Sequence, residues 1–317
     1  MDIDRICVIA TEWEYGAGTQ GTNIGPTTLI EVCKQEGFGL LSDCPKILVQ
    51  SEVSSDELAH SKHIYLNHAA PLITHQKRHA DHVFQVLKKD NFPLILSGDH
   101  SNAIGGMAGF FQHFGTEKSG LIWIDAHLDL HSPYTTPSGN IHGMALNTAF
   151  GIDNLENQVN TLDQPTVDLW QQIKSLKKTN NLSPENVVFF GIRSFESPEI
   201  EMTKNHGMLV ITAKEIHENG MEWAINKAEN HLANKVEQLY ISFDVDSLDP
   251  SISTGTGTPV EDGFTHEEAS SLLAYYCNHP LNKCLEITEI NPSLESDNAM
   301  SKAVCKILKS ALKQPIL

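Results

Sequence analysis

Short apolar runs alternate with segments of helical periodicity along this chain, and the alternation narrows the possible folds more than any other feature. The runs have strand length and are mostly apolar on both faces: Ile6–Ala10, Pro93–Ser97, Leu121–Ile124, Val187–Gly191, Met208–Ile211, Leu239–Phe243 and Cys284–Ile290. The segments with helical spacing are His75–Lys89, Thr166–Lys178, Met221–Leu232, His266–Tyr276 and Asn298–Leu312. Such strands, separated by helices, are typical of a parallel sheet covered on both sides. The pattern therefore predicts an α/β fold with a mostly parallel central sheet.

Nothing in the 317 residues indicates a boundary between domains. No linker rich in proline, glycine or serine divides the chain, and neither does a block of like charge or an internal repeat. A hydrophobic fraction of 40% is enough for a sizeable core, and one α/β domain can reach this length. We therefore expect a single domain over residues 1–317.

The charge balance argues against several classes of partner. With 22 basic and 40 acidic residues the net charge is −18, so the surface repels phosphate backbones and anionic membranes. No apolar stretch is long enough to span a membrane, and the acidic start lacks the features of a secretory signal. The cysteines are scattered and form no CxxC pair. We expect reduced thiols in a cytoplasmic protein that binds neither nucleic acid nor membrane.

Polar clusters follow four of the apolar runs at the point where each predicted strand ends. They are SGDHS (97–101), DAHLDLH (125–131), DVDSLDP (244–250) and TEINPS (288–293). Ligand sites in open parallel sheets lie beyond the carboxyl ends of the strands. We therefore expect the four clusters to converge on one site.

The clusters contain a set of side chains suited to two divalent metal ions: His100, Asp125, His127, Asp129, Asp244 and Asp246. In DAHLD the ligands alternate with apolar residues, so a continued strand would place all three on one face, and DVD repeats the pattern. Four carboxylates balance the charge of two dications. Imidazole and carboxylate ligands favour a hard to borderline metal such as Mn²⁺, with Fe, Co and Ni as alternatives. The absence of thiolates argues against a structural zinc site.

Each motif taken alone has a simpler explanation, because DxD and GDH sequences are common in solvated turns and helix caps. The combination is harder to explain in this way. Carboxylates buried at strand ends need partners, since unpaired charge is costly to remove from water. Neither DAHLDLH nor DVDSLDP contains an arginine or lysine, so metal ions are the simplest partners.

These motifs, together with GTGTP (255–259), resemble those of the ureohydrolase family, which includes arginase, agmatinase, formimidoylglutamase and guanidinobutyrase. The match extends from about Gly16 to Ile307, and the segment TTPSGNIHGM (135–144) is most similar to arginases. The resemblance implies a three-layer α/β/α fold and a centre of two Mn²⁺ ions. It implies that His100 and Asp129 bind one ion, that His127 and Asp246 bind the other, and that Asp125 and Asp244 bridge both.

The same resemblance implies roles for the remaining site residues. His142 and Glu289 form the predicted catalytic group together with Asp129 of the metal set; His142 would act as proton shuttle and Glu289 would bind the guanidinium. Ser138 and Asn140 would belong to the loop that reads the α-carboxylate. Glu196 would lie near the α-amino group, and Thr258 near the site. Family members are often trimers or hexamers, so a homo-oligomer is expected.

Two departures from the arginase pattern fall at the specificity end of the pocket. His131 stands where arginases usually carry asparagine, and Glu196 replaces a shorter aspartate. The N-terminal segment TEWEYGAGTQG (11–21) also differs. The leading hypothesis is therefore a metal-dependent amidine hydrolase that converts L-arginine to L-ornithine and urea. The alternative is another ureohydrolase, acting on agmatine, guanidinobutyrate, another guanidino acid or formimidoylglutamate.

Other features have less bearing on function. A catalytically silent metal-binding protein would lack a ligand or the shuttle, and this chain lacks neither. His75, His79 and His82 fall on one helical face, which we interpret as solvated in preference to metal-binding. Gly105, Gly106 and Gly109 do not match a phosphate-binding loop and are interpreted as helix-packing glycines.

Overall fold

The computed structural model describes residues 3–312. Its centre is one sheet of eight parallel strands in the order β2-β1-β3-β8-β7-β4-β5-β6. The strands are β1 (Ile6–Thr11), β2 (Lys46–Val49), β3 (Phe92–Ser97), β4 (Ser119–Ile124), β5 (Val187–Ile192), β6 (Leu209–Thr212), β7 (Gln238–Asp244) and β8 (Asn282–Thr288). All seven predicted strands are present, and the prediction of a parallel sheet is confirmed.

Helices surround the sheet. Within the described residues the α-helices are α1 (Gly25–Gln35), α2 (Leu40–Asp43), α3 (Ser55–His60), α4 (Ala69–Lys88), α5 (Ala103–Phe114), α6 (Asn147–Phe150), α7 (Gln164–Lys174), α8 (Ser197–Asn205), α9 (Ala213–Asn219), α10 (Met221–Leu232), α11 (His266–Asn278) and α12 (Ala299–Ala311). The five predicted helices correspond to α4, α7, α10, α11 and α12. The short edge strand β2 was not predicted, because its four residues begin with a lysine and are only partly buried.

Alternate side chains of the strands enter two separate cores. On β1, Ile6 and Val8 belong to one core, whereas Cys7 and Ile9 belong to the other. Helices α1, α9, α10, α11 and α12 close the first core, and α4, α5 and α7 close the second. This period-two division is the physical basis of the three-layer α/β/α arrangement, because each face of the sheet must be covered.

The packing of α4 on α5 depends on small residues. A Cβ atom added to Gly105 would lie 2.8 Å from Nδ1 of His79, and one added to Gly109 would lie 2.4 Å from the carbonyl oxygen of Ala80. Added to Gly106, it would lie 2.3 Å from the hydroxyl of Tyr240 on the sheet. These contacts confirm that the glycines serve helix packing.

Strand order brings the four polar clusters together. The clusters follow β3, β8, β7 and β4, which are consecutive in the middle of the sheet. Because all four strands are parallel, their carboxyl ends open onto the same edge. No helix within residues 3–312 combines the length and the apolar character needed to cross a membrane.

Candidate active site

The predicted metal ligands meet at this edge in two overlapping groups. Nδ1 of His100 lies 3.1, 3.0 and 3.1 Å from carboxylate oxygens of Asp125, Asp129 and Asp244. Nδ1 of His127 lies 3.0 Å from Asp246 and 3.5 Å from Asp125. One oxygen of Asp125 faces each histidine, so the two groups share this carboxylate.

The side chains do not converge by strand alternation, and that part of the prediction is wrong. Strand β4 ends at Ile124, before the first ligand, and Asp129 has a left-handed backbone with φ of 53°. Asp244 is the last residue of β7, and Asp246 lies in the short 3₁₀ turn that follows. A bend after each strand folds the chain back, so residues two apart point to one place without a continued pleat.

The cluster concentrates negative charge in a buried space. Burial and the neighbouring carboxylates Asp246 and Asp125 raise the pKa of Asp244 well above its usual range. Burial opposes a charge on His127, but Asp246 and Asp125 outweigh it and raise the pKa of this ring to about 12. The groups therefore require positive charge nearby, and the nitrogen and oxygen donors fit divalent cations.

Neighbouring side chains fix the orientation of His100. Its Nε2 lies 2.8 Å from the hydroxyl of Ser242, which donates to Glu286 at 3.1 Å. Glu286 is fully buried and also accepts hydrogen bonds from Ser97 (2.6 Å) and Tyr240 (2.7 Å). With its Nε2 directed to Ser242, His100 keeps Nδ1 on the side of the carboxylates, where it could serve as a ligand to a cation.

Hydrogen bonds also hold the carboxylates of Asp125 and Asp246 in place. The indole of Trp123 donates to Asp125 at 3.0 Å, and its ring stacks on His100 with centroids 4.2 Å apart. Asp246 accepts from the backbone N–H of Ala126 at 3.1 Å and from the hydroxyl of Thr258 at 3.1 Å. Thr258 therefore contacts one of the candidate metal ligands.

His142 and Glu289 lie next to the metal-ligand groups. Nδ1 of His142 is 3.3 Å from Oε1 of Glu289, and the same oxygen accepts from the backbone N–H of His100 at 2.8 Å. Burial opposes a charge on His142, but the hydrogen bond and charge of Glu289, reinforced by Asp129, raise its pKa to about 9. The pair is therefore placed to exchange a proton beside the cluster.

The divergent N-terminal segment also reaches the site. The backbone N–H groups of Gly16 and Ala17 donate to Asp99 at 2.6 and 2.9 Å. The carbonyl of Gly16 accepts from the N–H of His142 at 3.1 Å. This segment therefore links the β3 cluster to the loop that carries His142, although the sequence assigned it no role.

A third group lies at the far end of the same cavity. Nε2 of His131 is 3.1 Å from Glu196 and 3.4 Å from Glu199. Its Nδ1 lies 3.1 Å from the hydroxyl of Thr135. Glu199 was not predicted. It is buried in the first turn of α8, and burial with the adjacent Glu196 raises its pKa well above the usual range. Its position three residues after Glu196 was the available signal.

The loop of residues 135–142 closes one side of the cavity. The hydroxyl of Ser138 accepts from the backbone N–H of Asn140 at 3.2 Å, which forms a tight turn. The cavity has a volume of about 220 Å³. Every predicted site residue except Asp125 and Glu289 lines it: His100, His127, Asp129, His131, Ser138, Asn140, His142, Glu196, Asp244, Asp246 and Thr258.

Arg193 supplies positive charge that the motif analysis missed. Its guanidinium donates to the carbonyls of Asp246 (2.7 Å) and Val260 (2.8 Å), and not to a ligand carboxylate. The charge therefore stabilises the loop after β7 and leaves the carboxylates free. Arg193 precedes Glu196 by three residues, and only the tertiary fold brings it to this loop.

Comparison with known proteins gives matches over nearly the whole chain. Residues 4–313 match the model of the Arginase family. An arginase from Bacillus subtilis is 31% identical over 98% of this chain and 99% of its own length. The solved arginase from Bacillus caldovelox is 27% identical, covers 99% of this chain and 100% of its own, and superposes with a TM-score of 0.81. A formimidoylglutamase from Bacillus subtilis, 20% identical, covers 99% of this chain and 87% of its own with a TM-score of 0.72, and so shares the fold.

Proposed function

This chain belongs to the Arginase family of amidine C–N hydrolases, and we propose that it hydrolyses L-arginine to L-ornithine and urea. The observation that carries the proposal is the arrangement of one cavity. At one end lie the His–Asp groups with His142, which contacts Glu289 behind the cavity lining, and at the other lie two carboxylates and the 138–140 turn. A substrate with a guanidinium at one end and an amino acid at the other matches both ends.

The His–Asp groups can hold metal, and we propose two Mn²⁺ ions. His100 and Asp129 would hold one ion, His127 and Asp246 the other, and Asp125 and Asp244 would bridge them. The contacts of Asp125 with both histidines support its bridging role. Two bound divalent ions supply a water of lowered pKa, which is the nucleophile that this reaction requires.

Glu289 would orient the guanidinium. Its Oε1 is engaged by the N–H of His100, whereas Oε2 has no hydrogen-bond donor within residues 3–312. A planar guanidinium can donate to that oxygen through a charge-assisted hydrogen bond. This contact holds the central carbon of the substrate beside the His–Asp groups.

His142 would complete the reaction as proton donor. Addition of water to the guanidinium carbon must be followed by cleavage of the bond from this carbon to the δ-nitrogen. The δ-nitrogen leaves as an amine only if it receives a proton. Protonated His142, stabilised by Glu289, can deliver that proton and recover it from solvent.

The far end of the cavity would recognise the amino-acid part of the substrate. Glu196 and Glu199 offer carboxylates for an α-ammonium group, and Ser138 with Asn140 offers polar groups for an α-carboxylate. Charge-assisted hydrogen bonds of this kind are both directional and strong.

A second candidate is another ureohydrolase of this family. The contact between His131 and Glu196 favours it, because a carboxylate already engaged by an imidazole is less available to an α-ammonium. Agmatine, guanidinobutyrate, another guanidino acid and formimidoylglutamate are the substrates to compare.

Release of urea or formamide from these five compounds by the Mn²⁺-loaded protein tests the proposal. We expect urea from L-arginine with the largest kcat/KM. Turnover of another compound at a kcat/KM at least tenfold above that of arginine would refute arginine as substrate and leave the hydrolase class intact.

We also propose a single-domain, cytoplasmic homo-oligomer, either a trimer or a hexamer. The continuity of one sheet supports the single domain. The scattered cysteines, free in the described structure, support a reducing compartment. The resemblance of the motifs supports the oligomer, and light scattering measures its size.

A further inference from the structure

A segment before helix α4 lies over the turn at residues 138–140. The backbone N–H of Asn67 donates to the carbonyl of Gly139 at 2.8 Å. A Cβ atom added to Gly139 would lie only 2.4 Å from the carbonyl oxygen of Ile64, and Gly139 has φ of 77°. The short distance to Ile64 and the left-handed backbone both require glycine at position 139. The segment 64–67 and the 138–140 turn therefore pack as one unit.

The side chain of Asn67 extends this contact to the turn. Its Nδ2 donates to Oδ1 of Asn140 at 3.2 Å and to the carbonyl of Ser138 at 3.3 Å. Both acceptors belong to the loop that closes the cavity, and Asn67 itself does not line the cavity. Its side chain can therefore act on a bound molecule through the 138–140 turn.

The hydrogen bond from Nδ2 of Asn67 to Oδ1 of Asn140 determines how the amide of Asn140 is oriented. Because Oδ1 accepts from Asn67, the Nδ2 group is the part of this amide left for other partners. Within residues 3–312, Nδ2 of Asn140 has no protein acceptor, and Asn140 lines the cavity. Gly18 packs closely against this nitrogen, since a Cβ atom added to Gly18 would lie 3.0 Å from it. The turn thus presents a hydrogen-bond donor.

We propose that Asn67 is a positioning residue that holds the Asn140 amide as a donor and thereby selects guanidino substrates with a carboxylate at the far end. This inference rests on the proposed function and adds a residue outside the cavity to its specificity. An amide turned the other way would present its oxygen and repel a carboxylate. Substrates without that carboxylate do not depend on the orientation.

Asn67→Asp tests the orientation directly. A carboxylate at this position can only accept, so the Asn140 amide should turn its Nδ2 toward residue 67 and its oxygen toward the cavity. We expect KM for L-arginine to rise about tenfold, the scale of one hydrogen bond to a charged group, with kcat within about twofold. For L-argininamide, which lacks the carboxylate, KM should stay within about twofold of the wild-type value.

Two further measurements separate orientation from the added charge. Asn67→Ala carries no charge and should raise KM for arginine by about threefold, because the amide is then free to take either orientation. The effect of Asn67→Asp should persist at 0.5 M KCl, whereas a distant charge effect would largely disappear as the Debye length shortens to about 4 Å.

Asn157→Asp is the matched control. Asn157 donates to Oδ1 of Asn154 at 3.0 Å away from the cavity, so the same substitution there should leave both KM values unchanged. Metal content and melting temperature of each variant identify any loss of folding. An unchanged KM for arginine in Asn67→Asp, or an equal rise for arginine and argininamide, would overturn the inference. Failure of the proposed function would be seen separately, as a wild-type protein that releases no urea from arginine.

Discussion

Two groups of histidines in this protein have opposite surroundings. His100 and His127 at the sheet edge are surrounded by carboxylates, which outweigh burial and raise their pKa values, that of His127 to about 12. Within residues 3–312, no carboxylate is among the groups that shift the pKa values of His75 and His79 on α4, and the charge of Arg78 further disfavours protonation of His75. Burial lowers their pKa values to about 4 and about 3, so both rings stay neutral. Burial therefore does not determine the charge of a histidine, whereas the nearest carboxylates do.

His75 also shows which contacts a buried histidine makes when no carboxylate of the described chain lies beside it. Nε2 of His75 lies 2.8 Å from the hydroxyl of Thr11, which donates to Asn102 at 2.9 Å. Asn102 in turn donates to the carbonyl of Trp13 at 2.9 Å and follows His100 by two residues. His75 therefore contributes to a buried polar network behind the loop of candidate metal ligands, whereas His100 and His127 face the cavity.

The largest effect is expected from His127→Asn. Loss of one proposed ligand should release metal from one site and lower kcat for urea production by about 10³-fold, because the proposed nucleophile depends on both proposed ions. Metal content by mass spectrometry and urea release measure the two effects together. His60→Asn, at an exposed position, is the control. Full activity with full metal content would remove His127 from the ligand set.

His142→Ala should have the next largest effect. We expect a fall in kcat of about 100-fold, the usual contribution of a positioned general acid, with both ions retained. The measurement is steady-state kinetics beside metal analysis of the same sample. Loss of metal in this variant would show that His142 acts as a ligand, and an unchanged rate would show that it is not the proton donor.

The neutral histidines should make the fold sensitive to acid. Their folded pKa values lie below the unfolded value of about 6.5, so the unfolded state binds more protons as pH falls, and stability is lost from pH 6.5 downward until the folded pKa values are passed. At pH 5 the loss from His79 alone is about 2 kcal/mol. Urea denaturation of the wild type and His79→Leu at pH 7 and pH 5 measures it. An equal pH dependence in both proteins would show that His79 does not contribute.

The smallest effect is expected at His131. In His131→Asn the contact with Glu196 is lost, which frees this carboxylate for an α-ammonium. We expect the ratio of kcat/KM for arginine over guanidinobutyrate, which lacks the α-amino group, to rise about tenfold. The kinetic constants for both substrates are compared in one preparation. A fall in this ratio would show that His131 itself favours the amino acid.

Much of the fold and the identity of the candidate ligands could be predicted, because these features depend on local sequence patterns. Strand-length apolar runs located the sheet, and motifs at their ends located the candidate ligands. The structure places Thr258 against Asp246 and His142 against Glu289, two contacts that the sequence alone did not specify.

The features that the sequence did not predict depend on tertiary packing. Helical periodicity showed that His75 and His79 share a face but not what covers it, and the prediction of a solvated face is wrong. Gly105 lets α5 approach that face, and both histidines are buried. Similarly, Arg193 acts on carbonyls more than fifty positions away, including that of Asp246, which no local pattern reveals.

The left-handed backbones of Asp129 and Glu289, with φ of 53° and 66°, have a consequence for how such a protein can change over generations. Glycine or asparagine would adopt these conformations more easily than aspartate or glutamate, and replacing crowded acidic groups would also relieve repulsion. Substitutions that would abolish the proposed turnover at these two positions should therefore make the chain more stable. In a lineage no longer selected for activity, substitutions at Asp129 and Glu289 would accumulate and give a stable but inactive protein. A screen that selects only for heat resistance would replace the acidic residues at these two positions first.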